Sequence, residues 1–217
     1  MTFGVPMKLN RRHLFLSATA FALAPALAAV RPDTARAEDL SGLMDPGPLK
    51  DMVMGDENAP VTIIEYASMT CPHCANFHNN VYPDIKKNYL ETGKAKLIFR
   101  EFPLDPRAYA ASMLARCADE QFYFPMTEVL FKQQDVWARV DDPRPPLLQI
   151  AKLAGFTQES FEACLQNQEL LDKVNQVRTK AAEVFGVNGT PTFFINGEKY
   201  RGNVSVEAMS EAIDSLL

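Results

Sequence analysis

Two cysteines stand two residues apart in Cys71-Pro72-His73-Cys74, directly after an apolar run, Val61-Thr-Ile-Ile-Glu-Tyr-Ala67. Thiols at i and i+3 can close a disulfide with each other and reopen it by exchange with an outside thiolate. Pro72 suits the first position of a helix, where a missing N–H costs nothing. The spacing therefore predicts Cys71 at or near an N-cap and Cys74 inside the first turn. Free N–H groups and the positive end of the helix dipole then face the Cys71 sulfur and favour its thiolate. The dipole alone supplies roughly 0.3–2 kcal/mol, so a larger effect needs N–H···S bonds and a nearby cation. His73 is the cation on offer. Favouring the thiolate favours the reduced form, which makes the disulfide the better oxidant.

Two other readings fit the same residues. The pair could be an inert structural disulfide. It could also be part of a metal site, because Cys71, Cys74 and His78 fall at i, i+3 and i+7 on one helix face. A closed zinc site needs a fourth ligand, and the chain has no second Cys-x2-Cys. Redox chemistry is the preferred reading, with no metal and no cofactor.

Further residues bear on that chemistry. Glu65 is an acid inside the apolar run. A buried carboxyl has a raised pKa and can exchange protons near neutral pH; the alternative is a strand-end glutamate reaching solvent. His78 reads as a plain helix residue. Cys117 and Cys164 lie 47 residues apart on predicted helices. If Cys71 bonds Cys74, these two are left to pair, and the alternative is two separate buried thiols.

The elements that must hold these residues follow from periodicity. Met52-Val-Met54 reads as a short edge strand and Val61–Ala67 as a buried one. A helix is expected from Pro72 to about Leu90, then a strand over Ala95–Phe102. From Pro106 to Gly186 the period turns helical, over Arg107–Glu120, Pro125–Ala138, Pro146–Ala154, Gln158–Gln166 and Glu169–Phe185. Asp141-Asp-Pro-Arg-Pro-Pro146 reads as a loop. Phe193–Ile195 and Lys199–Arg201 are spaced as a hairpin about Asn196-Gly197, and Ser205–Leu217 closes the chain as a helix.

The N-terminus reads as a targeting segment. Lys8, Arg11 and Arg12 precede an alanine-rich apolar stretch, Leu14 to Val30, and Ala35-Arg-Ala37 offers a cleavage site ahead of Glu38. Arg11-Arg12 fits either a twin-arginine or an ordinary secretory signal. The chain has 217 residues, with 22 basic and 27 acidic side chains. Losing residues 1–37 removes Lys8, Arg11, Arg12, Arg31, Arg36 and Asp33, which leaves 17 basic and 26 acidic residues and a net charge of −9. Such an acidic balance gives no footing to a nucleic-acid partner. No stretch after residue 37 is apolar for 18 residues, as a membrane span requires.

The segment Val61–His78, with Glu65 six residues before Cys71, resembles the active-site segment of the DsbA family of thioredoxin-fold oxidoreductases. So does Gly189-Thr-Pro-Thr-Phe-Phe-Ile-Asn-Gly197. About 115 residues separate Cys74 from Thr190, more than a bare thioredoxin holds. The resemblance implies an α/β, thioredoxin-like fold with an inserted all-helical domain. Its parts are a signal peptide (1–37), a flexible arm (38–51), a thioredoxin-like domain (52–105 and 187–217) and a helical insertion (106–186). It implies a cis Thr190-Pro191 bond that presents the Thr190 backbone to an extended client segment, and a Glu65 that shuttles protons for Cys74. The function implied is a periplasmic dithiol oxidase, expected to be a monomer. It would donate its Cys71–Cys74 disulfide to reduced exported proteins and be reoxidised by a quinone-linked membrane protein. The alternatives are a disulfide isomerase or reductase, and an extracytoplasmic copper- or zinc-binding module.

Overall fold

Apart from Met1, the computed structural model describes residues 40–217; the targeting segment and its cleavage site lie outside the described residues. Among the described residues five strands form one sheet in the order β1-β3-β2-β4-β5. They are β1 Met52–Gly55, β2 Val61–Ala67, β3 Ala95–Glu101, β4 Thr192–Ile195 and β5 Glu198–Lys199. The central strand β2 runs parallel to β3 and antiparallel to β4. Both faces of β2 are covered, and this is why it reads as a continuous apolar run.

Side chains alternate between the faces of a strand. On one face Val61 and Ile63 pack with Phe77, Tyr82, Phe193, Met209 and Ile213. On the other, Ile64 and Tyr66 pack with Phe102, Val177, Ala181 and Phe185. The first face is covered by α1 (Pro72–Asn80), α2 (Tyr82–Ile85) and α9 (Val206–Asp214), the second by α8 (Gln168–Glu183). Phe77 is 1% exposed at the centre of the first face. Truncating an aromatic there costs about 3–5 kcal/mol.

The expected helix from Pro72 to Leu90 is broken. It stops at Asn80, restarts as α2 and ends in a π-helical turn, Lys86–Leu90. Pro83 is the cause, since it has no N–H for a carbonyl one turn back. Between β3 and β4 the chain forms α3 (Pro106–Cys117), α4 (Tyr123–Lys132), α5 (Gln134–Trp137), α6 (Arg144–Leu153), α7 (Gln158–Leu165) and then α8. The expected helix Pro125–Ala138 is two helices, with Gln133 outside helical geometry at φ −103° and ψ 19°. Part of the expected loop before Pro146 is helix instead. Pro145 and Pro146 occupy the first turn of α6, where their missing N–H groups have no partner to lose.

Two attachments hold the edges of the sheet. Asn196 (φ 47°) and Gly197 (φ 88°) form the two-residue β4–β5 turn, and positive φ at both positions is what a type I′ turn requires. The Asn196 Oδ1 accepts a hydrogen bond from the Thr62 N–H at 2.7 Å. The segment before β1, expected as a loose arm, is exposed over residues 44–48 but anchored at Leu43. Leu43 is buried against Ile64 and Tyr66, and Arg100 donates to the Leu43 carbonyl at 2.7 Å. The same guanidinium bonds both Asp51 oxygens, at 2.8 and 2.9 Å. Two parallel bonds of this kind give the pair its orientation as well as its strength.

Candidate active site

Cys71 is the N-cap of α1 and Pro72 its first residue. The Cys71 backbone is extended, at φ −75° and ψ 122°, so its sulfur stands at the open end of the helix. The Cys71 thiol donates to the Thr190 carbonyl at 3.2 Å. Its pKa is lowered to about 5, first by the Cys74 thiol, then by Thr190 and by the backbone N–H groups of Cys74 and His73, against the opposing effect of burial. His73 differs from expectation here. Its side chain is exposed, and what it offers the Cys71 sulfur is its backbone N–H. A cationic ring is not among the causes.

Cys74 is 0% exposed. Burial pushes its thiol well above the ordinary value; the hydrogen bond to Cys71 and the charge of Glu65 add to the effect. One turn of helix thus separates an easily ionised thiol from one that holds its proton. Both are free thiols in this structure.

Thr190 and Pro191 come from the segment before β4 and are joined by a cis bond. The antiparallel pairing of β4 with β2 carries this segment to the end of β2 from which α1 departs. Residues 119 positions apart in the chain thereby touch at the Cys71 sulfur.

The helices between β3 and β4 brace the same loop, which the sequence did not reveal. Gln134, the first residue of α5, is buried and donates to the Met69 carbonyl at 2.8 Å and the Cys71 carbonyl at 3.0 Å. Asp105, the N-cap of α3, accepts a hydrogen bond from the Thr70 hydroxyl. Ser68 accepts from the Leu104 N–H at 3.3 Å. No local pattern marks these residues, because a buried amide is identified by its partners, which here lie 63 and 65 positions away.

Glu65 does not reach solvent. It is 0% exposed on the α1 face of β2. His78, read from sequence as a plain helix residue, places Nε2 at 3.1 and 2.9 Å from the two Glu65 oxygens. The His78 ring is stacked on Phe131, with centroids 4.2 Å apart. His78 is therefore turned to Glu65, and among the described residues no group of three His, Cys, Asp or Glu side chains is placed to hold a metal. The ligand set Cys71, Cys74 and His78 is not assembled.

The other two cysteines are bonded to each other. Cys117 ends α3 and Cys164 lies in the last turn of α7, with 6.1 Å between their Cα atoms.

Residues 49–215 match a family model described as Thioredoxin. Similar solved structures include Wolbachia pipientis alpha-DsbA1, at 36% identity and a TM-score of 0.73, covering 80% of this chain and 94% of that one. The oxidised form of BdbD from Bacillus subtilis shares the fold at 20% identity, with a TM-score of 0.67 over 76% of this chain and 92% of that one. A curated protein of Rickettsia conorii, provisionally named a protein-disulfide oxidoreductase, is 35% identical over 168 residues, or 77% of this chain. The chain spans 60% of that relative's length. With a mixed sheet, helices α3–α8 set between β3 and β4, and these likenesses over most of its length, the chain belongs to the thioredoxin family and, within it, to the DsbA proteins.

Proposed function

We propose that this protein is a thiol:disulfide oxidoreductase acting as a dithiol oxidase on exported proteins outside the cytoplasm. The observation that carries the reading is the asymmetry of the pair: Cys71 is lowered to about 5 at a helix N-cap, while Cys74, three residues on, is fully buried and raised. A client thiolate attacks the Cys71 sulfur of the oxidised pair. A client–Cys71 disulfide forms, the Cys71–Cys74 bond breaks, and Cys74 takes the electron pair and a proton. A second client thiolate attacks the client sulfur of the mixed disulfide, and Cys71 leaves as a thiolate. A low leaving-group pKa speeds that departure.

The remaining residues have roles in this scheme. The Thr190 carbonyl, which holds Cys71 at 3.2 Å, takes the backbone of an extended client segment. Glu65 handles the proton of Cys74. The bridge between Cys117 and Cys164 is structural. The unit is a monomer with a thioredoxin-like part over 52–105 and 187–217 and a helical part over 106–186. Regeneration of the disulfide falls to a quinone-linked membrane protein. Residues 1–37 act as the export signal to the periplasm, and among the described residues no helix is long and apolar enough to cross a membrane.

The equilibrium potential of Cys71–Cys74 against glutathione tests the reading. An oxidase gives a value well above that of thioredoxin, about −270 mV. A value at or below that mark assigns the pair to reduction instead.

A further inference from the structure

Cys74 must gain a proton when its disulfide opens and lose it when the disulfide closes, yet it is 0% exposed. A client docked at Cys71 and Thr190 covers the front of the site. Glu65, on the α1 face of β2, is itself 0% exposed. Both its oxygens lie within 3.1 Å of His78 Nε2. The other ring nitrogen, Nδ1, is buried and has no protein partner. An imidazole in this position has two separate proton sites, one committed to the carboxylate and one open.

His78 is one of the residues lining a cavity of about 510 Å³, together with Asn79, Tyr82, Lys86, Glu128 and Lys132. Asn79 and Lys132 are exposed at its rim, so the cavity meets solvent. It lies behind α1, among α2 and α4, while Thr190 approaches from β4. Charges reach His78 from the elements around it: Glu65 from β2, Lys86 from the π-helical turn, Glu128 and Lys132 from α4, and Glu91 beyond the turn. Lys86 and Glu128 are paired at 2.8 Å. Phe99 and Phe131 present only rings, and burial, with the Glu128 charge, keeps the Tyr82 phenol protonated.

We propose that His78 is a proton relay between Glu65 and the cavity behind the active-site helix, giving Cys74 an exit to solvent that a bound client does not block. A proton entering from water at Nδ1 lets Nε2 release one to Glu65, and Glu65 delivers one to the Cys74 thiolate. The net change is one proton taken from solvent and one thiol formed, and reoxidation runs the sequence backward. His78 acts through Glu65 and touches no client, so it positions and supplies the acid.

The inference rests on the reading of Cys71–Cys74 as the exchanging pair, and the test separates the two. His78→Gln keeps a donor for Glu65 but cannot pass a proton through itself. Oxidation of a reduced dithiol peptide is followed from pH 5 to 9 in both proteins. The variant is expected to lose about tenfold or more at neutral pH, less than the roughly 10²–10⁴-fold of a group acting directly, because His78 acts through Glu65. Its Cys71 alkylation profile stays unchanged, and free imidazole restores part of the rate in His78→Ala. A wild-type rate and pH profile in folded His78→Gln overturns the relay and leaves the oxidase reading intact. A wild-type protein that fails to oxidise the peptide overturns the oxidase reading instead. If the variants do not fold, ring N–H exchange of His78 in the wild type decides by NMR. Exchange with water faster than turnover supports the relay, and protection lasting longer than turnover overturns it.

Discussion

The two cysteine pairs are built at opposite ends of helices. Cys71 and Cys74 open α1, where unpaired N–H groups point at sulfur. Cys117 ends α3 and Cys164 sits in the last turn of α7, near the negative end of each dipole. A thiolate is favoured at the first place and disfavoured at the second. The first pair closes a ring of four residues, which in the chain-entropy model adds about 2 kcal/mol. The second closes a loop with a separation of 47 residues, which in the chain-entropy model adds about 4 kcal/mol. On the proposed reading, helix polarity and loop length together divide the labour: one bond opens and the other stays shut.

The comparison breaks most sharply on deletion. Cys71→Ala should abolish peptide oxidation while changing stability by about 1 kcal/mol or less, seen in thermal melts of the reduced proteins at or below about pH 5, where the thiolate contributes nothing. Removing the other pair should do the reverse. Cys117→Ala with Cys164→Ala should lower stability by about 4 kcal/mol, or roughly 8–16 °C in Tm for a chain of this size. The oxidation rate should hold within twofold, and a double variant that melts normally but turns over slowly would make the second pair a redox relay.

A smaller effect appears on titration. Because Cys71 is lowered from 9.0 to about 5, iodoacetamide should label it with a half-point near pH 5, and Cys74 should stay unlabelled well above that. The linkage sign is set by the lowered value. The contribution of Cys71 to the reduced fold is complete above about pH 9, declines as pH falls, and is gone below about pH 5. The Tm difference between reduced and oxidised protein should therefore shift toward the oxidised form as pH drops across that window.

The smallest effect separates backbone from side chain at His73. Since His73 serves Cys71 through its backbone N–H, His73→Ala should move the Cys71 half-point by less than about half a unit, near the weak end of a dipole-scale effect. His73→Pro removes the N–H and should raise the half-point further, making the pair less oxidising. Equal shifts in the two variants would return the role to the imidazole.

The architecture was legible where one residue carries its own geometric rule. Pro72 marks a helix start because its ring suits the first turn, and Asn196-Gly197 marks a tight hairpin because both tolerate positive φ. The run Val61–Ala67 reads as a buried strand from its apolar character alone. Boundaries were less legible near prolines. Pro83 breaks an expected helix, whereas the helix expected from Pro146 reaches back through Pro145 to Arg144, inside an expected loop. The same ring blocks a helix interior and suits its first turn, and position along the helix depends on neighbours the local pattern does not rank.

Local chemistry in the chain pointed to thiol–disulfide exchange ahead of its alternatives, because thiol spacing and helix polarity act over three or four residues. What had to wait for the assembled fold was every relation that spans the sheet or the insertion. His78 reads as an ordinary helix residue until β2 sets Glu65 under it. Gln134 is unremarkable until the break at Gln133 swings α5 onto the Cys71 carbonyl. The Thr190 carbonyl meets the Cys71 sulfur only once β4 has paired with β2. The physical reason is common to all three. A buried polar group takes its meaning from the partner that satisfies it, and packing brings that partner from a distant part of the chain.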